Sequence, residues 1–186
     1  GVSGLDGDPF YPDKSPRPMP PLALGKLGET IAKGFDKLGW HWWPADAAIA
    51  STPYGEGREP CNYGSSCDLG CMTGARASTD ITYWPAALSA GVQLVTRARV
   101  RELTVGNDGH VKSALYYHEG QLFEQQARLV VVACNGVGTP RLLLNSRSHQ
   151  FPNGLANGSG LVGKNLMFHP SAFVTGYFDD DLESNH

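Results

Sequence analysis

Between residues 22 and 38 the apolar side chains Leu24, Leu27, Ile31, Phe35 and Leu38 recur at steps of three and four. This is the period of one helix face, so an amphipathic helix is expected there, with Gly39 as its stop. The Trp40-His41-Trp42-Trp43-Pro44 cluster that follows holds too many large aromatics to lie open in water, and is expected to pack under the helix or line a pocket. Upstream, Pro9, Pro12, Pro16, Pro18, Pro20 and Pro21 remove amide donors and fix φ, which makes the first twenty residues an extended arm. From residue 92 the pattern becomes that of strands, expected over 92–96, 99–105, 111–118 and 122–134, with Asn107-Asp108-Gly109 and Glu119-Gly120 as turns. These form an antiparallel meander. Its last member ends in residues 129–133, apolar without alternation, as in a strand buried on both faces of a parallel sheet. A glycine-containing loop then leads to Thr139 and Pro140, a good N-cap and a good first residue for a helix. A meander returning into a parallel strand, a glycine loop and a helix N-terminus is the closing move of an α/β nucleotide-binding domain.

Composition narrows the function classes. The 186 residues are 41% hydrophobic and 18% charged, with 15 basic against 18 acidic side chains and a formal charge of −3. No basic stripe for nucleic acid or an anionic membrane is present. The longest apolar run, residues 129–134, is far short of the roughly 20 residues that span a bilayer, and no basic-then-apolar leader opens the segment. The 23 glycines and 13 prolines concentrate in residues 1–21, 53–74 and 153–163. Lying between strongly patterned segments, these read as long functional loops. No internal repeat is found.

Three blocks carry a family resemblance. Val130-Val131-Val132-Ala133-Cys134-Asn135-Gly136-Val137-Gly138-Thr139-Pro140-Arg141-Leu142-Leu143-Leu144 resembles the second signature region of the glucose-methanol-choline oxidoreductases. The stretch from Gly154 to Pro170, with Gly160-Leu161-Val162-Gly163-Lys164-Asn165-Leu166-Met167-Phe168-His169-Pro170, is similar to that family's continuation. The loop Cys61-Asn62-Tyr63-Gly64-Ser65-Ser66-Cys67-Asp68-Leu69-Gly70-Cys71 is similar to the gluconate, fructose and glucose dehydrogenase branch.

The resemblance implies an internal piece of an FAD-dependent enzyme that passes hydride from the CH–OH carbon of an alcohol, polyol, aldose or sugar acid to flavin. It divides the chain into a substrate-side arm, helix and cysteine loop (1–90), part of the FAD domain (91–150) and the start of the substrate domain (151–186). FAD contacts are expected at Val100, whose backbone would read the adenine edge, and at Ala133, Cys134, Gly136 and Thr139, where a strand end meets a helix N-terminus. Cys134 itself reads as a small buried hydrophobe. No catalytic residue is assigned, because the family's proton acceptor is expected C-terminal to this chain. The glycines 158, 160 and 163 have Gly-x-Gly-x-x-Gly offsets but no strand before them, so they are not a dinucleotide fingerprint. His169 belongs to a loop motif and reads as a structural hydrogen-bonding residue, and Asp179-Asp180-Asp181 as a solvated turn.

For Cys61, Cys67 and Cys71 two readings stand side by side. The branch implies a 3Fe-4S cluster relaying electrons to a cytochrome c subunit, and a periplasmic parent. The alternative is a loop of simply buried cysteines. A non-enzymatic metal-binding module and a degenerate cofactor-binding protein are the rival functions. With no Gly-x-Gly-x-x-Gly turn and no catalytic pair, the chain by itself is expected to be inactive and not to hold FAD tightly.

Overall fold

A computed structural model describes residues 2–12, 15–55 and 57–182. The chain separates into two compact units, Gly1–Val92 with Val174–His186, and Gln93–Phe173.

In the first unit the proline-rich arm is stitched into place. Ser3, fully buried, bridges both Met19 and Ala47, exchanging two backbone hydrogen bonds of 2.9 Å with Ala47 while Gly4 N–H reaches Met19 O at 3.1 Å. Met19, Ala50 and Ala75 form a small core, with Ile49, Cys61 and Cys71 packed on it. Helix α1 spans Gly25–Leu38, and Gly39 ends it at φ 65°, a left-handed position that glycine takes without Cβ strain. The Gly39 and Trp40 amides return to Asp36 O and Phe35 O at 3.1 and 3.0 Å. The aromatic cluster is only partly covered. Trp42 and Trp43 are half-buried and donate their indole N–H to Asp36 Oδ1 and Leu5 O at 2.9 Å, whereas Trp40 stacks on Phe35 but stays 62% exposed. Two short helices without sequence signal follow, α2 (Thr79–Thr82) and α3 (Trp84–Ser89). Four and six residues are too few to display a helical period.

The second unit is built on an antiparallel sheet in the order β1-β2-β3, with β1 Arg99–Val105, β2 Val111–His118 and β3 Gln121–Gln126. Glu119 and Gly120, at φ 50° and 79°, make the two-residue turn between β2 and β3, both central residues carrying the positive φ that matches strand twist. A bulge sets Arg101 outside the β1–β2 register between Val100 and Glu102. Helix α4 (Asn135–Asn145) packs on β1, burying Leu103, Leu142 and Leu155 with Val130, Val132 and Phe151 around them. Ser146, 3% exposed, accepts the Leu103 amide at 2.9 Å and donates to Leu142 O at 2.7 Å, so the edge of β1 is tied to the last turn of α4.

Three expected elements come out differently. Residues 92–96 are not a strand: the Val92 amide closes the end of α3 on Ala87 O at 3.0 Å, and a turn with Arg97 at φ 53° follows. The long last strand stops at Gln126, and residues 129–134 have no ladder partner among the described residues. There Val130 and Val132 face the core while Leu129 and Val131 are 80% and 79% exposed, so one face is covered rather than two. Helix α4 starts four residues before Thr139 and keeps Pro140 inside, because Asn135 at φ 58° turns its Oδ1 onto the Val137 and Gly138 amides at 2.9 and 3.1 Å.

Candidate functional site

Packing α4 against β1 opens a cleft of about 450 Å³ lined by Ala98, Arg99, Val100, Arg101, Tyr117, Cys134, Gly138, Arg141, Leu142 and Asn145. Val100 and Cys134, thirty-four positions apart, are thus brought to one place, with Gly138 on the same wall. A Cβ on Gly138 would stand 3.0 Å from that of Cys134, so the glycine keeps the space open. The Val100 side chain is 43% exposed and is not a core residue, which leaves the backbone of edge strand β1 as what Val100 offers. Cys134 is exposed, not buried: among the described residues no strand pairs with the segment before it. Ala133, Gly136 and Thr139 do not line the cleft: Ala133 and Gly136 are exposed, and half-buried Thr139 accepts the Cys134 amide on Oγ1 at 3.2 Å.

At the start of α4 the Cys134, Val137 and Gly138 amides are already taken, by Thr139 and Asn135. Positive charge in the cleft comes from side chains instead. Arg99 lies over the Tyr117 ring at 5.8 Å, Arg101 Nη1 donates to Tyr117 Oη at 3.4 Å, and Arg141 projects from α4. These residues carry no sequence signal of their own; only the bulge and the helix packing bring them together.

In the cysteine loop, Cys61 and Cys71 are half-buried against Met19, Ala50 and Ala75, while Cys67 is exposed. Among the described residues no three metal-ligating side chains are grouped to hold a metal ion. Both half-buried sulfurs accept backbone N–H groups, Cys61 Sγ from Tyr63 and Cys71 Sγ from Arg76, each at 3.4 Å. The Arg76 amide, and then the Thr73 hydroxyl 3.5 Å away, stabilise a thiolate and lower Cys71 from the ordinary 9.0 to about 7. Iron-free protein should therefore alkylate at Cys71 with a rate that climbs through a midpoint near pH 7. Peptide mapping after iodoacetamide pulses across a pH series measures it; a midpoint near 9 would show that these hydrogen bonds do not form.

His169 is exposed. The glycines 158, 160 and 163 lie in successive turns held by Asn157, whose Oδ1 accepts the Val162 amide at 3.1 Å. No strand precedes them, as a dinucleotide fingerprint would require.

The profile of the GMC oxidoreductases matches residues 27–171. The chain belongs to that family. GMC oxidoreductases bind FAD through their N-terminal domain, and the helices and antiparallel sheet of this chain are a part of such a domain. Among characterised relatives it is 44% identical to the 2-methyl-1,2-propanediol dehydrogenase of Mycolicibacterium austroafricanum, over 91% of this chain and 31% of that protein. It is 32% identical to the fructose dehydrogenase large subunit of Gluconobacter japonicus, over 91% of this chain and 32% of the relative. It is 35% identical to the 6'''-hydroxyparomomycin C oxidase of Streptomyces lividus, over 97% and 34%. This GMC oxidoreductase chain thus spans about a third of the length of these relatives.

Proposed function

We propose that this chain supplies part of the FAD site of an oxidoreductase acting on the CH–OH group of a small alcohol, diol or sugar. The observation that carries the reading is the β1–α4 cleft, which brings Val100 together with Cys134 and Gly138, more than thirty positions further on. The residues fit an adenine nucleotide in kind: an edge strand offers backbone groups to a purine, Gly138 leaves room for a flat ring, and Arg99, Arg101 and Arg141 supply charge for phosphate. Bound FAD would supply the hydride-accepting ring. The chain's own contribution is to orient the nucleotide end, with Arg101 steadied by Tyr117 and α4 steadied on β1 by Ser146. Relatives named for a diol, for fructose and for an aminoglycoside favour a polyhydroxylated substrate.

The test is made on the intact protein that carries this chain. It should keep FAD through gel filtration and bleach anaerobically with 2-methyl-1,2-propanediol or fructose. Colourless protein, or a flavin that no member of a diol and sugar panel reduces, would defeat the reading.

For the cysteine loop the two readings make different demands. A three-iron cluster takes three thiolates. The amide hydrogen bonds to Cys61 and Cys71 suit thiolate ligands and their half-burial suits packing, whereas exposed Cys67 is neither packed nor, among the described residues, part of an assembled group of three. Anaerobically purified protein free of iron and acid-labile sulfide, yet fully active with its acceptor, agrees with packing. Stoichiometric iron and sulfide, with Cys67→Ser blocking the acceptor but not flavin reduction, would restore the relay and the cytochrome partner that goes with it.

A further inference from the structure

Among the described residues Arg58 is the one buried arginine, 8% exposed, and it lies in the first unit. Its Nε and Nη2 donate to Gly74 O at 3.3 Å and Ala75 O at 2.7 Å, and the guanidinium lies 5.8 Å from the Tyr54 ring centroid. A guanidinium has five N–H groups and a fixed positive charge. Two neutral carbonyls satisfy two of those donors and none of the charge. No carboxylate pairs with Arg58 among the described residues, although buried charges are ordinarily paired. The Tyr54 face offsets only a part of that cost.

Arg58 also lines an open recess of about 580 Å³, whose walls carry the hydroxyls of Tyr54, Ser78, Thr79, Thr82 and Tyr83 beside the apolar Val2, Ala48, Ala77 and Ile81. Two of these hydroxyls are committed, Ser78 to the Asp80 carboxylate and Thr82 Oγ1 to Ser78 O at 2.7 Å. The hydroxyls of Tyr54, Thr79 and Tyr83 remain as donors on the recess walls. Among the described residues no acidic side chain lines the recess to compete for the guanidinium. A buried guanidinium with no carboxylate partner among the described residues, at a recess where hydroxyls stand beside Val2, Ala48, Ala77 and Ile81, has donors left for one oxyanion group.

We propose that the Arg58 recess binds one oxyanion group, a carboxylate or a phosphate, on a small molecule. The guanidinium carries the charge recognition, and Thr79 with the tyrosine hydroxyls takes the remaining oxygens. This site shares no lining residue with the cleft assigned to FAD.

The experiment uses the intact protein with its flavin. Potassium acetate and inorganic phosphate are titrated separately at constant ionic strength held with chloride, and the melting temperature is read. A saturable rise is expected with at least one of the two, and the one that acts names the ligand chemistry. Thr79→Val, which leaves the Arg58 hydrogen bonds in place, should raise the half-saturating concentration by roughly fivefold or more, the size of one lost hydrogen bond. Arg58→Lys, which keeps the charge but not the fork, should raise it further. Flavin absorbance reports separately that the cofactor site is intact. No rise beyond the chloride control, as a recess filled by another part of the protein would give, overturns the proposal. So does an equal rise in wild type and both variants.

Discussion

Gly154→Ala is expected to destabilise the second unit by about 3 kcal/mol or more, where most surface substitutions stay within about 0.5. Gly154 sits at φ 99°, and a Cβ there would lie 2.9 Å from both Leu143 O and Leu144 Cα. Both atoms are helix backbone and cannot rotate away. The chain passes so close because the next residue, buried Leu155, donates its amide to Leu143 O at 2.9 Å and completes the core with Leu103 and Leu142. An alanine would have to lift that crossing off α4 and take Leu155 out with it. Gly158→Ala is the control, since nothing stands within 4 Å of its added Cβ and its φ is ordinary. Urea unfolding of both variants in the same background measures the difference; a Gly154→Ala loss as small as that of Gly158→Ala would show that the crossing is looser than described.

The second large effect concerns association. Expressed as this segment alone, the protein should self-associate at micromolar concentration. Leu129 and Val131 are 80% and 79% exposed, and Met167, Phe168, Phe173, Val174 and Tyr177 range from 83% to 97%. All six residues of β3 are exposed, and β3 is an edge strand, with its outer backbone row open among the described residues. Soluble monomers rarely leave apolar surface of this kind uncovered. Sedimentation velocity on the purified segment should give a distribution of oligomers, shifted toward monomer by Leu129→Thr with Val131→Thr. A monodisperse monomer before substitution would show that the segment covers these residues itself.

What the sequence made legible follows the strength of local signals. The face period of α1 and Gly39 placed that helix within three residues at its start, and the Glu119-Gly120 pair placed the β2–β3 turn, because both depend on backbone preferences that neighbours do not change. Residues 129–133 mislead for a physical reason: an apolar run announces a strand that wants cover on both faces, and in this chain only Val130 and Val132 find it. Thr139-Pro140 is a true helix-start signal outcompeted by a stronger one, the Asn135 side chain four residues earlier. Of the residues that line the cleft, Val100 was expected from family resemblance and Cys134 from a strand end meeting a helix N-terminus, whereas Arg101 depends on a bulge, and nothing local announces a bulge. Arg58 could not be read at all, since its burial is set by the carbonyls of Gly74 and Ala75, distant in sequence and without side-chain chemistry.

The Ser146 hydroxyl, one donor and one acceptor between β1 and α4, also decides how the cleft responds to an occupant. That joint ties the two walls, so a ligand entering near Val100 would have less of its affinity to spend on bringing them together. A wall position shared through one hydroxyl is also a weak point of known address. Loosening it would lengthen the reach from β1 to α4 at every position along the cleft, so binding would fade gradually through a faster off-rate while each contacting residue remained chemically unchanged.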